Sequence, residues 1–429
     1  MYWFCNHGEF MRKDLTNWII HFVHDATNKH LSANLDIDTI PDLLSKLSQY
    51  NNEDTEEEIM CGHYISDVRL SEFYNSRLTA FEVLRKIIRD GFIKSTWSLR
   101  NGQPTIYGLK STVCFTEMPL YALLKYAQQR SDSKSMTRYG IAFLRQDVFK
   151  AKVRPVIYGL TNKHKEYSDT DFFRILDDDC GIGLSEQYRY VEFNLNRKPR
   201  IDWTHEREWR WGGIEDYGIP ADVPGFPLFE DAKDYAFSRI LFIVETNTEA
   251  ELIIDDLRRV YDSESNDSYL INKQSVKNAK VLSFEKLKAL KISNEDVTID
   301  KLPLYQLPEV SFRQPNINKE KFIIDAIEKA QVIYENTSEK IIKEVGKEQF
   351  NPLCGFGFVA TEETNTDTTR ILVNKGMAQP DLESGSYIVH SIGRSKTQNM
   401  EINFLSAVAA AKFLTAELRQ KFIAIKKLD

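Results

Sequence analysis

Residues 201–213 read IDWTHEREWRWGG and interleave glutamates and arginines with tryptophans. Charged side chains are seldom buried and tryptophans are seldom fully exposed, so this alternation predicts a β-strand with one polar and one apolar face. On such a strand the side chains divide into two sets, with Arg207, Trp209 and Trp211 on one face and Glu206, Glu208 and Arg210 on the other.

The predicted strand places two glutamates, Glu206 and Glu208, on the same face. Like charges two positions apart on one strand face repel each other, and Arg210 can pair with only one of them. The other carboxylate is then expected to face a cleft or water, and in a cleft a glutamate beside indole rings is suited to work as an acid or base. The alternative is an ordinary polar strand face on which both glutamates pair with neighbouring arginines.

Composition limits the classes of protein to which the chain can belong. Its 429 residues predict two or three domains, and 42% hydrophobic residues are enough to form cores. The sequence has neither a stretch of eighteen apolar residues nor a signal-peptide pattern at its start, so we expect no membrane association and a cytoplasmic location. The five cysteines are widely separated and form no CxxC pair, which predicts no disulfide framework and no metal site.

The charge is unevenly distributed along the chain. A net charge of −7 argues against a general nucleic-acid-binding protein. Residues 77–164, however, contain 16 Lys and Arg against 5 Asp and Glu. Such asymmetry predicts a surface that meets an anion, although a solvated basic surface without a ligand is the competing interpretation.

Periodicity and turn residues predict an α+β chain. Strands are predicted at 17–24, 112–117, 139–145, 153–159, 188–195, 207–213 and 238–245, and helices at 78–91, 118–130 and 248–262. Residues 49–58 and 217–230 are predicted to be loops, and 279–291 a strand that runs into a helix. These elements form a predicted first domain, residues 1–291.

A proline-punctuated stretch separates this domain from the last part of the chain. Residues 292–318 contain three prolines and little periodicity, which predicts a linker. Beyond it, a helix at 319–346, strands at 353–361 and 386–393 and an Ala-rich helix at 403–422 predict a small C-terminal α/β domain, residues 319–429.

Four polar residues lie in or beside predicted strands. His21 is inside WIIHFVH, Thr116 and Glu117 end VCFTE, and Arg154 opens RPVIYG. Each has an ordinary structural explanation, as a core histidine, strand-end residues and a loop anchor before proline. Taken with the glutamates of residues 201–213, His21, Thr116 and Arg154 are also candidate site residues.

Four motifs in this order resemble the ADP-ribosyltransferase fold: IIHFVH (19–24), AFEVLRKIIRDGF (80–92), VCFTEMPLYALLKYAQ (113–128) and HEREWRW (205–211). The resemblance implies a mixed or antiparallel β core with flanking helices, and NAD as a substrate. It implies that Glu208 is the catalytic carboxylate, which offsets the positive charge that develops on the ribose as nicotinamide leaves.

The same resemblance implies roles for the other candidates. Glu206 would orient the acceptor and His21 would contact the adenosine ribose. Thr116 would lie in the cofactor site, Phe115 would stack on the nicotinamide, and Arg154 would hold the pyrophosphate.

A second resemblance concerns the biological setting. RKDLTNWIIHF (12–22), VCFTEMPL (113–120), RPVIYG (154–159) and WTHEREWRW (203–211) resemble uncharacterised bacterial proteins of phage-defence and abortive-infection loci. This implies an NAD-dependent ADP-ribosyltransferase toxin that acts on an RNA, DNA or protein acceptor. The alternative is a catalytically inactive binding module, an antitoxin or sensor with a cognate partner. A nuclease is a third hypothesis, but no HExxH motif or clustered carboxylates with metal-ligand spacing accompany it.

Overall fold

The structure of the chain is a computed structural model. It describes residues 17–25, 78–95, 99–100, 103–108, 110–117, 137–160, 166–167, 174–212, 225–232, 236–266, 268–288, 302–307, 315–346, 354–393 and 397–428. The predicted loop at 49–58, the predicted helix at 118–130 and part of the predicted loop at 217–230 lie outside these residues. No helix among the described residues is both long and apolar enough to cross a bilayer.

The chain divides into two compact units. The first comprises Met1–Ala250 and Asp267–Tyr305, and the second comprises Glu251–Asn266 and Gln306–Asp429. Both units combine helices with β-sheets, so the predicted α+β class is confirmed.

The first unit is built mainly from strands. In chain order its strands are β1 (Trp18–Val23), β2 (Phe92–Lys94), β3 (Leu99–Arg100), β4 (Gln103–Pro104), β5 (Thr112–Thr116), β6 (Tyr139–Leu144), β7 (Arg154–Pro155), β8 (Ile157–Tyr158), β9 (Glu166–Tyr167), β10 (Ile175–Leu176), β11 (Tyr190–Val191), β12 (Glu208–Gly212), β13 (Gly225–Pro227), β14 (Ile240–Val244) and β15 (Lys280–Ser283), followed at the unit boundary by β16 (Tyr305–Gln306). Its helices are α1 (Ala80–Asp90), α2 (Arg145–Lys150), α3 (Asn247–Asp262, which continues into the second unit), α4 (Lys273–Asn278) and α5 (Phe284–Lys288).

Eight of these strands form one mixed sheet with the order β16-β15-β14-β6-β1-β5-β12-β7. β14 and β15 run parallel, and every pair from β14 to β7 is antiparallel. All five residues of β14 are buried, which explains its unbroken apolar sequence: a strand covered on both faces needs no polar alternation.

Local signals fix helix α1 where the sequence predicted it. Thr79 and Glu82 form a reciprocal capping box at its start, and Gly91 ends it in the left-handed conformation with φ 83°. Leu84 and Ile88, one turn apart, are the fully buried residues on its inner side.

Three predicted segments differ from the structure. The predicted strand 188–195 is a 3-10 turn, Leu184–Arg189, followed by the two-residue strand β11, and 153–159 is two short strands. The predicted linker 292–318 contributes β16 to the edge of the large sheet, and Leu302 is only 7% exposed in an apolar cluster of the first unit. Edge strands tolerate proline, so Pro303 did not exclude this outcome.

The second unit has its own sheet and core. After helix α6 (Glu320–Glu344) come β17 (Gly355–Thr361), α7 (Asp367–Asn374), β18 (Ala378–Asp381), β19 (Ser386–Val389), α8 (Met400–Leu418) and β20 (Ile423–Leu428). From β17 onward this is a βαββαβ chain with sheet order β18-β19-β17-β20, the connectivity of the ferredoxin-like motif. Every pair in this sheet is antiparallel, so the unit is α+β rather than the predicted α/β.

Close packing of α8 on β17 depends on a glycine. A Cβ atom at Gly357 would lie 2.3 Å from the backbone of Asn403, so no larger residue fits there without moving the helix. The predicted helix 403–422 ends earlier, at Leu418, because Arg419 adopts the left-handed conformation and the chain continues as β20.

The packing of Leu302 gives a test of the edge of the first unit. Leu302→Ala is expected to lower the free energy of unfolding by about 2–5 kcal/mol, the usual cost of emptying a buried leucine site. Leu270→Ala is the matched control, because Leu270 is 68% exposed. Urea denaturation of both variants measures the difference, and equal midpoints would show that residues 302–307 contribute nothing to the core.

Candidate functional site

The pairing register places five polar side chains, three of them candidate site residues, on one face of the large sheet. Glu208 on β12 lies opposite Thr116 on β5, and Arg210 lies opposite Cys114 on β5 and Arg154 on β7. Because cross-strand partners share a face, Cys114, Thr116, Arg154, Glu208 and Arg210 form one polar patch, here called the Glu208 face.

An ion pair dominates the Glu208 face. Arg210 Nε donates to Glu208 Oε1 at 2.7 Å, and Arg210 Nη2 donates to Glu208 Oε2 at 3.2 Å. The Glu208 and Arg210 side chains are only 13% and 6% exposed. Burial alone would lower the pKa of Arg210, but the adjacent carboxylate raises it above its ordinary value. Both carboxylate oxygens are therefore engaged by a permanent cation.

Backbone groups hold this pair in place. Arg210 Nη1 donates to the carbonyl oxygens of Tyr188 at 2.7 Å and Tyr190 at 3.2 Å. The backbone N–H of Glu208 donates to the Tyr158 hydroxyl at 2.9 Å. Sequence analysis did not single out Tyr158, although the alternation in RPVIYG places it on the same side of the chain as Arg154.

The thiol beside the pair is not activated. Burial, reinforced by the negative charge of Glu208, raises the pKa of Cys114 to about 12. At neutral pH the thiol therefore stays protonated, whereas a nucleophilic cysteine needs a lowered pKa.

Glu206 does not share the strand face of Glu208. It ends a 3-10 turn, Thr204–Glu206, and Arg207 follows in the left-handed conformation with φ 46°, so the strand begins only at Glu208. The Asp202 carboxylate accepts from the backbone N–H of Thr204 at 3.1 Å and from its hydroxyl at 2.6 Å. This local hydrogen bonding favours a turn over the predicted strand, and the predicted repulsion between the two glutamates on one face is wrong.

His21 lies on the opposite face of the sheet. Ile20 is the residue of β1 that pairs with Thr116, so His21 falls beside Phe115, with ring centroids 5.8 Å apart. Its Nδ1 donates to the carbonyl oxygen of Cys114 at 2.9 Å. Burial lowers the pKa of His21 to about 4, which keeps the imidazole neutral at pH 7. His21 and Glu208 therefore do not face one cleft.

Phe115 belongs to the core on that opposite face. It is 1% exposed, and its ring contacts those of Phe143 and Phe226 edge-on, with centroids 6.1 and 5.2 Å away. Trp211 joins the same aromatic cluster through Phe226 at 5.7 Å. A ring enclosed in this way presents no free surface on which nicotinamide could stack.

Arg154 anchors the turn that precedes it. Its guanidinium lies over the Phe149 ring, 3.9 Å from the centroid, and Nη1 donates to the carbonyl oxygens of Phe149 at 2.6 Å and Val153 at 2.9 Å. The loop-anchor explanation therefore applies, and the side chain also lies on the Glu208 face.

Glu117, the residue after Thr116, has a structural role that sequence analysis did not assign. Its carboxylate is paired with Arg145 at 3.0 Å and accepts from Trp209 Nε1 at 3.1 Å. The Trp209 indole, part of the IDWTHEREWRWGG stretch, is therefore held in place by Glu117 at the end of the neighbouring strand β5.

The geometry brings together only part of the predicted site. Glu208, Thr116 and Arg154 share a face, His21 and Phe115 lie on the other, and Glu206 precedes the strand, so the six candidate residues are divided between the two faces of the sheet and the turn before β12. Within the described part of the chain, no group of three or more His, Cys, Asp or Glu side chains is placed to hold a metal ion. No family model, curated protein or solved structure matches the chain.

The buried ion pair should be measurable by a double-mutant cycle. Arg210→Met leaves the Glu208 carboxylate buried without its partner and should cost about 3–5 kcal/mol of unfolding free energy. Glu208→Gln combined with Arg210→Met should cost clearly less than the sum of the two single changes, because the uncompensated charge is gone. Glu206→Gln is the control. Additive effects in urea denaturation would contradict a coupled pair.

The lowered pKa of His21 predicts a pH dependence of stability. Above about pH 6.5 the imidazole is neutral in both folded and unfolded chains. As the pH falls from there towards 4, only the unfolded chain takes up the proton, so stability decreases through this window and levels off below it. His21→Gln should remove this component of the pH dependence.

The measurement is the urea midpoint at about pH 7 and about pH 4.5, for wild type and variant. His205→Gln, which changes an exposed histidine of the turn before β12, should retain the wild-type dependence. An unaltered pH dependence in His21→Gln would contradict a buried neutral imidazole.

Proposed function

We propose that the first unit is a non-catalytic binding module on a transferase-like sheet, and that it does not turn over NAD. In the phage-defence setting implied by the sequence resemblance, it acts as an antitoxin or sensor with a cognate partner. The observation that carries this proposal is the Glu208–Arg210 pair, in which a buried guanidinium occupies both carboxylate oxygens.

The chemistry of NAD cleavage explains why this pair argues against catalysis. A catalytic carboxylate must present negative charge to the ribose as positive charge develops on it. A glutamate already neutralised by a bidentate arginine offers little of that charge. Freeing it would leave Arg210 buried without its counter-ion, which costs several kcal/mol by the usual magnitude for buried pairs.

The position of His21 supports the same proposal. In the resemblance, His21 and Glu208 contact one dinucleotide, but the Ile20–Thr116 register directs them to opposite faces. A neutral histidine bonded to a backbone carbonyl and edged against Phe115 has the surroundings of a core residue.

The alternative is an active transferase with Glu208 as the catalytic carboxylate. One assay distinguishes it from the binding module. Purified protein is incubated with labelled NAD, alone and with lysate protein, RNA or DNA, beside Glu208→Gln and Glu206→Gln. We expect neither nicotinamide release nor label transfer above a heat-denatured control in any of them. Turnover by the wild type that is lost in a folded Glu208→Gln would establish the transferase instead.

A further inference from the structure

The turn between α2 and β7 concentrates positive charge around an exposed aromatic ring. Phe149 is 49% exposed, and Lys150 and Lys152 are exposed beside it. Arg154 follows, with its guanidinium stacked on the Phe149 ring. These four residues, Phe149, Lys150, Lys152 and Arg154, are called the basic turn.

The Arg154 guanidinium keeps donors available. Nη1 is occupied by the carbonyl oxygens of Phe149 and Val153. Within the described residues, neither Nε nor Nη2 of Arg154 has a hydrogen-bond acceptor or a carboxylate partner. A guanidinium that is held through Nη1 and keeps Nε and Nη2 without acceptors is suited to donate to a phosphate oxygen.

Lys152 occupies a position that favours glycine. Val153 N–H donates to the Val148 carbonyl at 2.9 Å and Lys152 N–H donates to the Phe149 carbonyl at 3.2 Å, which closes the helix in a Schellman turn. The residue at this position is left-handed, and Lys152 has φ 67°. A lysine here is strained relative to glycine.

Two acidic side chains of neighbouring described segments, Asp147 and Glu186, already have partners. The Asp147 carboxylate is buried and accepts from the backbone and hydroxyl of Ser238 at 2.9 and 2.8 Å. Glu186 is paired with Arg189 at 2.7 Å, and Arg189 in turn donates to the carbonyl oxygen of Pro155, next to Arg154. Both carboxylates are therefore already hydrogen-bonded or ion-paired to other residues, and the chain as a whole carries a net charge of −7.

We propose that the basic turn binds single-stranded nucleic acid, with phosphates held by Lys150, Lys152 and Arg154 and a base stacked on Phe149. The charge selects an anionic partner, and the exposed ring selects one that carries flat bases. A duplex hides the faces of its bases, so the single strand fits better. This inference does not depend on the absence of NAD turnover, because the assay below contains no NAD.

The test is fluorescence anisotropy of the full chain with a labelled single strand of about 12 nucleotides, within the usual range for such sites. RNA and DNA strands, a duplex of the same sequence and inorganic polyphosphate are compared over a range of salt concentrations. Lys150→Gln and Arg154→Gln should each reduce the slope of log affinity against log salt by about 0.7. Lys412→Gln, which removes the same charge from an exposed position of the second unit, should leave the slope unchanged.

Phe149→Leu separates stacking from charge. It should weaken the affinity for the single strand roughly 5- to 150-fold, the range that corresponds to one lost base stack. Polyphosphate binding should not change. Lys152→Gly separates binding from folding. It should weaken binding of the single strand, while the melting temperature of the protein stays the same or rises because glycine relieves the left-handed strain.

Three results would overturn the proposal. The first is the absence of single-strand binding at low salt. The second is equal binding of polyphosphate and single strand with no effect of Phe149→Leu, which would indicate a simple anion site. The third is displacement of the single strand by poly-glutamate at equal charge concentration, which would favour an acidic protein surface as the partner.

Discussion

The register of three antiparallel strands decides which side chains can act together in the first unit. Ile20, Thr116 and Glu208 lie in one row across β1, β5 and β12. A slip of β5 by one residue would bring Thr116 to the face of His21, but it would also turn the Phe115 ring out of the cluster of rings that includes Phe143, Phe226 and Trp211. Burial of these rings, each worth several kcal/mol against exposure, therefore fixes the face on which each polar residue lies.

Sequence patterns predicted the elements whose signals are local. The capping box at Thr79, the stop at Gly91 and the apolar runs of β1, β6 and β14 all coincide with elements of the structure. Glu206 was misplaced because the side chain of Asp202 folds the chain into a turn just where charged and aromatic residues alternate as in a strand. Strand β16 escaped prediction because two residues at a sheet edge carry no periodicity.

The candidate site was predicted less well than the fold, and the reason is distance along the chain. His21 is bonded to Cys114, a partner 93 residues away, and no pattern within either segment specifies their register. Glu208 and Arg210, two residues apart, were correctly placed on one face with Arg210 as an available partner. What the sequence did not show was that the pair is buried, and burial decides whether the carboxylate is available to a substrate.

Arginine–carboxylate pairs with largely buried side chains occur in both units. In the second unit, Asp262 accepts from Arg370 at 2.5 Å and from the Tyr387 hydroxyl at 2.7 Å, and all three side chains are buried. Burying one such charge alone costs several kcal/mol of folding free energy, whereas an opposite charge hydrogen-bonded to it offsets much of that cost. Glu208 follows the same rule. Because Arg154 lies opposite Arg210 in the sheet, the Glu208 face leads into the basic turn, where Lys150 and the Phe149 ring are exposed, whereas the Glu208 carboxylate is engaged by Arg210. This contrast is why we propose the basic turn, rather than the Glu208 carboxylate, as the ligand-binding part of this surface.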